Sequence, residues 1–230
     1  MGVCRPDVRN MIVAGDVVVF VAADRLSDRR PARYQLAGWA TAEQIVSQLD
    51  VWRHEDLAVY RDYRNLLIRP AGGGGGFARQ EAHAPEHPDW LWRLARHTHR
   101  GSAKAAWITA GTRLGIAPDG VFRIGRRREQ VAANYVLFSA SPEETVTLCD
   151  PPAIASATAP GQLETWTSDP FAADLRTLLL GQVKGRGLRT TNHQQPHRHI
   201  RLGNPALLRA QLNQLIKEHG LATRRDHHRT

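Results

Sequence analysis

The chain has 230 residues, a net charge of +9 and a pI of about 10.5, with 42% apolar and 23% charged residues. That is the composition of a globular protein rather than a disordered one, and the length suffices for a core without a disulfide or metal staple. The longest apolar run, Val17 to Ala23, is far short of the roughly 20 residues that a membrane-spanning helix needs, which excludes such a helix.

Gly15-Asp16 reads as a turn, and Val17 to Val21 behind it is a β-branched and aromatic run that predicts a buried strand. Asp24 to Pro31 is polar and closed by proline, so it reads as a loop. Tyr34 to Thr41 reads as a second strand, with Tyr34, Leu36, Gly38 and Ala40 on one face and Gln35, Ala37 and Trp39 on the other. The short connection predicts an antiparallel hairpin. Thr41 to Gln44 has capping-box spacing and predicts a helix that carries Ile45, Val46 and Leu49 on one face. Residues 52 to 69 fit a short helix followed by a strand.

Ala71 to Gly76 holds five consecutive glycines and reads as a flexible linker, because the strand, helix and Gly-Lys-Ser/Thr of a phosphate loop are missing. Residues 71 to 120 read as an insertion or flexible region, with a short helix from Pro88 to Arg96. Strands are expected at Val121 to Ile124, at Asn134 to Ser139, and at Thr145 to Cys149, the last pairing with the one before it. Asp169-Pro170 and Asn204-Pro205 each place an N-cap before a first-turn proline. The helices they open carry Phe171, Leu175, Leu178 and Leu179, and then Leu207, Leu208, Leu212, Leu215 and Ile216, and end at Gly181 and Gly220. The layout is α+β, a mixed β-sheet or small barrel with packed helices. Residues 1–222 are expected to form a single domain, and residues 223–230 a disordered basic tail.

A basic balance attracts phosphate backbones or anionic surfaces. Of the basic residues 28 are arginine, whose planar fork can hold two phosphate oxygens, and only three are lysine. Arg126-Arg127-Arg128 and Lys184 to Arg189 are the dense clusters, each of which also fits a solvated loop. His193, His197 and His199 lie within seven residues and could supply zinc ligands, although a short histidine tract with Gln194, Gln195 and Pro196 also fits an exposed polar loop, and no metal site is expected. Cys4 and Cys149 cannot build a disulfide framework, and either could be a nucleophile or a small buried hydrophobe. No nucleophile elbow or metalloprotease motif is present, and no motif calls for a cofactor. The start of the sequence lacks a secretory pattern, so a reduced, cytoplasmic setting is expected. Aromatics interleave with basic groups: Trp39, Trp52, Tyr60 and Tyr63 accompany Arg53, Arg61, Arg64 and Arg69. Such rings can stack on bases while arginines hold phosphates, or they can fill the core.

Cys4-Arg5-Pro6-Asp7-Val8-Arg9, followed by Gly15-Asp16 and an apolar strand, resembles the opening of the nucleotide-modification-associated domain family, in its second numbered type. Tyr34 to Thr41, Tyr135 to Ser139 and Gly185 to Arg189 resemble later segments of that family, with Leu188 where the family carries histidine. The strand, Gly-Asp turn and hairpin also look like PUA-type small barrels. The resemblance implies recognition or processing of modified nucleotides or DNA bases in a bacterial or phage DNA-modification system. Under it Arg5, Arg9, Arg186 and Arg189 would contact phosphate, and Trp39, Trp52 or Tyr63 would stack on a base. The alternatives are an enzyme of nucleotide hypermodification that uses Cys4 or the His193/His197/His199 group, and a non-catalytic domain that binds an acidic protein.

Overall fold

The computed structural model describes residues 9–24, 33–63, 65–73, 75–80, 92, 94, 102–124, 126–130, 134–156, 165–180 and 204–224. In chain order the strands and α-helices are β1 (Val17–Asp24), β2 (Arg33–Val46), α1 (Gln48–Arg53), β3 (Ile68–Pro70), β4 (Phe77–Arg79), α2 (Ser102–Leu114), β5 (Val121–Ile124), β6 (Arg127–Gln130), β7 (Tyr135–Phe138), β8 (Thr145–Leu148), β9 (Ala153–Ser156), β10 (Thr165–Trp166), α3 (Pro170–Leu180), α4 (Pro205–Glu218) and β11 (Thr223–Arg224). The pairings of β1, β8 and β9 with β2, of β10 with β9, β11 with β8, β3 with β4 and β5 with β6 are antiparallel, and the class is α+β. None of the described helices is long and apolar enough to cross a membrane. The chain divides into two compact units, Met1–Ala14 with Glu43–Leu137, and Gly15–Ala42 with Phe138–Thr230.

In the second unit β1 and β2 form the expected hairpin, from Val17 opposite Thr41 to Asp24 opposite Arg33. The other edge of β2 pairs with β9 over Arg33–Gln35 and with β8 over Gly38–Ala40. β10 extends the sheet beyond β9, and β11 beyond β8. The sequence pairs residues 145–148 with the strand at 135–138, but they join β2 and β11 instead. Thr223 and Arg224, expected in the tail, form β11 against Leu148 and Thr147.

The face of β2 that enters the core changes along its length. Val17, Val19 and Val21 alternate without interruption on β1, and all three pack against the core. On β2 the register slips by one residue: Phe20 faces Gly38, whereas Val21 faces Leu36, leaving Ala37 unpaired in a bulge. Tyr34 and Leu36 enter the core before the bulge, and Trp39 enters it afterwards. Strict alternation puts Trp39 on the opposite face, and the extra residue reverses that expectation.

Both leucine-faced helices close this core. Asp169 Oδ1 accepts the Phe171 N–H at 2.9 Å, and Asn204 Oδ1 accepts the Leu207 N–H at 3.2 Å, so each proline-led helix has its cap. Phe171, Ala172 and Leu175 of α3 pack with Leu208, Leu212, Leu215 and Ile216 of α4. Leu207, expected on the same face, points to solvent, to one side of the buried stripe. α4 ends as its glycine predicts. Gly220 takes φ +61°, its N–H bonds Lys217 O, and the Leu221 N–H bonds Ile216 O, which together satisfy two end carbonyls.

In the first unit the helix start moves. The expected helix at Thr41 does not form, because the Thr41 and Ala42 N–H groups are taken by Glu144 and Asp16 carbonyls and β2 runs on to Val46. The capping box belongs to Ser47 and Asp50 instead: Ser47 Oγ accepts the Leu49 N–H at 3.1 Å, and Asp50 accepts the Ser47 N–H at 3.3 Å. The buried Gln48 accepts the Leu67 N–H at 2.8 Å and so ties α1 to the approach of β3. The five-glycine run is the tip of the β3–β4 hairpin rather than a linker, with the Ala71 N–H bonded to Gly76 O at 3.0 Å. Leu49, Leu67, Ile68, Leu94, Trp107, Ile116 and Phe122 form one core cluster, and Val46, Val51, Leu57, Leu66, Tyr135 and Leu137 form another. The expected helix from Pro88 to Arg96 lies outside the described residues, apart from positions 92 and 94.

Candidate nucleic-acid interface

The sequence-derived site residues fall into three groups. Cys4, Arg5, Arg186, Arg189, His193, His197 and His199 lie outside the described residues. Arg9 and Trp39 are each only 1% exposed, so in this structure neither offers its side chain to a ligand. The Trp39 ring fills the core of the second unit because of the bulge at Ala37. Trp52 is half-buried in the first unit, where it packs against both core clusters and its Nε1 donates to Ile68 O at 2.9 Å. Tyr63, at 52% exposure, is the aromatic of this set whose ring is open.

Tyr63 is held on a braced turn. The 3₁₀ helix Glu55–Tyr60 carries acidic residues in its first turn and buries Leu57. Arg61 follows it and ties three places together. Its Nε donates to Val51 O at 2.9 Å, and Nη2 donates to His54 O at 3.0 Å. Nη1 and Nη2 both reach Glu55 Oε2 at 3.2 Å. The Tyr63 N–H bonds Tyr60 O at 3.2 Å and the Leu66 N–H bonds Tyr63 O at 3.1 Å, which fixes the backbone on either side of the ring. The Tyr60 and Tyr63 rings lie 6.0 Å apart and 30° from parallel. That spacing suits an aromatic pair, and Tyr63 remains half exposed beside Tyr60.

Beside this pair stands Tyr135 of β7, which is fully buried as a ring and donates its hydroxyl to Asn65 Oδ1 at 2.8 Å. Burial, followed by the neighbouring Tyr63 and Tyr60, pushes the Tyr135 phenol up to about 12. Burial, then the Glu43 carboxylate and Tyr63, also raises the Tyr60 phenol. Tyr60 and Tyr135 therefore stay protonated through the neutral range, and the Tyr135 proton is held by Asn65. Tyr135 itself is buried and its hydroxyl is committed to Asn65, so the groups left to a planar, polar-edged ligand are the exposed Tyr63 ring and the part-exposed Tyr60 and Asn65.

Tyr135 and Asn65 do not stand out as site residues in the sequence. Tyr135 reads as part of an apolar strand, and its partner stands 70 residues earlier, so only the folded chain joins them.

Other polar clusters have structural explanations. Arg209 pairs with Glu144 at 2.6 Å and reaches Thr41 Oγ1 at 3.3 Å, fastening α4 to the end of β2 in the second unit. His219 Nε2 lies 2.8 Å from Asp174 and links the end of α4 to α3. Cys149 is an exposed free thiol. Among the described residues no group of three or more His, Cys, Asp or Glu side chains could hold a metal ion.

No family model matches the chain, and no curated protein or solved structure matches it.

Proposed function

We propose that this chain recognises nucleotides or nucleic-acid bases, and that a base stacks on the open face of Tyr63. The observation that carries the reading is the Tyr63 ring, 52% exposed yet held on a braced turn against Tyr60. A large aromatic fixed in solvent loses little freedom on stacking, and base–aromatic stacking contributes about 1 to 3 kcal/mol per base. The +9 charge supplies attraction to phosphate. The resemblance of Cys4 to Arg9 and Gly185 to Arg189 to the nucleotide-modification-associated family narrows the ligand to modified nucleotides or DNA bases, in a cytoplasmic DNA-modification setting. In this reading Arg5, Arg186 and Arg189 hold phosphate, and the antiparallel sheet with its packed helices belongs to a PUA-like fold.

Titration of nucleoside monophosphates, followed by the ring resonances of Tyr60 and Tyr63, tests the base site. Selective shifts at Tyr63 that saturate support it. Shifts confined to residues far from Tyr63 remove it.

A further inference from the structure

Arginines gather on a second element of the first unit. β5 and β6 form a two-stranded antiparallel ribbon, and no third strand joins it among the described residues. Its register sets Val121 opposite Gln130, Phe122 opposite Glu129, Arg123 opposite Arg128 and Ile124 opposite Arg127. Arg126 is exposed in the turn between the strands. Four arginines therefore stand in the outer half of one short hairpin, at positions 123, 126, 127 and 128.

That placement opposes ordinary strand chemistry. Like charges directly across a ladder destabilise it, and Arg123 and Arg128 are such a pair. Asp119 offsets little of this, because it reaches Arg123 only at 4.0 Å with both side chains exposed. Glu129 stands at the register position of Phe122 rather than of an arginine. The base of the ribbon is anchored, because Phe122 is buried and meets Trp107 edge-on at 5.5 Å. One end is thus fixed in the core, and the other carries the arginines.

We infer that the β5–β6 ribbon is a docking element for duplex DNA, entering the major groove tip first. A major groove about 12 Å wide admits a two-stranded ribbon, whose strands are about 4.8 Å apart. Beyond the anchored Phe122 the two outer residues of each strand, at about 3.3 Å each, extend about 7 Å, and the long arginine side chains of the tip carry the reach to the groove floor about 8.5 Å down. Arginines at its tip meet phosphates on the groove walls and the acceptor edges of guanine. A single strand offers no groove, so the element favours duplex over single strands. This inference rests on the nucleic-acid reading and adds a binding element separate from Tyr63.

The test uses the full chain and two probes of one sequence, a 20-base-pair duplex and its single strand, with affinity measured by fluorescence anisotropy at several salt concentrations (lengths of about two turns, as groove binding requires). Arg126→Gln with Arg128→Gln should lower duplex affinity more than single-strand affinity and flatten the duplex salt slope by about two, one for each arginine–phosphate pairing removed. Arg126→Lys with Arg128→Lys should keep the slope, which controls for folding. Equal losses on both probes, or an unchanged duplex slope in the glutamine variant, overturn the ribbon as a duplex element while leaving Tyr63 binding intact. Failure of the wild-type chain to bind either probe removes the nucleic-acid reading and the ribbon inference with it.

Discussion

Gly38 of β2 and Val146 of β8 approach so closely that a Cβ on Gly38 would overlap the Val146 carbonyl oxygen. Gly38 also takes φ +149°, a conformation that residues with side chains rarely adopt. It sits immediately after the bulged Ala37, where the face of β2 switches and Trp39 turns into the core. A single glycine thus permits both the close approach of β8 and the change of face. Gly38→Ala adds backbone strain and a clash with main-chain atoms that cannot rotate away, and should cost about 2 to 5 kcal/mol. Chemical denaturation checks this, and a loss under about 1 kcal/mol would show that the sheet relaxes around the methyl.

The two proline-led helices supply a second test. Leu175 and Leu212 are both almost wholly enclosed in the core of the second unit. Leu175→Ala and Leu212→Ala should each destabilise by about 2 to 5 kcal/mol, whereas Leu207→Ala, at an exposed position, should change stability by less than about 0.5 kcal/mol. Equal losses at Leu207 and Leu212 would contradict the orientation of α4.

The raised phenol of Tyr135 gives a pH dependence. Its folded-state value of about 12 lies above the ordinary 10.0, so between those values the unfolded chain releases a proton that the folded chain keeps. The stability that the group contributes is fully present below about pH 10 and is lost as pH rises toward about 12. Tyr60 adds to the loss in the same direction. Tyr135→Phe should flatten the alkaline decline and, by removing the hydroxyl bonded to Asn65, cost about 1 kcal/mol at neutral pH. Unfolding curves measured from neutral to strongly alkaline pH decide this, and an unchanged alkaline decline in the variant would contradict it.

Local signals in the sequence are strong where they are self-contained. Asp169-Pro170 and Asn204-Pro205 mark their helices because cap and first turn are adjacent in the chain, and the β1–β2 hairpin follows from a β-branched run and a second strand-like segment joined by a short connection. The signals that mislead depend on distant partners. Thr41 to Gln44 has the residues of a capping box, but the Thr41 and Ala42 N–H groups go to the distant Glu144 and Asp16 carbonyls, and the chain continues as a strand. Trp39 reads on the face opposite Tyr34 and Leu36 until one unpaired residue reverses β2. The glycine run misleads for another reason: glycines carry no side-chain pattern, and what closes the loop is backbone pairing, between β3 and β4 and from the Ala71 N–H to Gly76 O. Of the site, Tyr63 is legible as an aromatic beside arginines. Its support from Tyr60, Tyr135 and Asn65 is a product of the fold.

In the proposed function Tyr63 adds base stacking that is distinct from charge. The direct measurement compares wild type and Tyr63→Ala in affinity for matched oligonucleotides with ordinary, methylated and hydroxymethylated bases, at several salt concentrations. Wild type should prefer one of the modified strands by a margin that persists as salt rises, because stacking releases few counterions. Tyr63→Ala should lose about 1 to 3 kcal/mol of binding and that preference, while its salt slope stays that of wild type. A variant that keeps both affinity and preference would contradict the account, as would wild-type protein that binds none of the strands at about 50 mM salt.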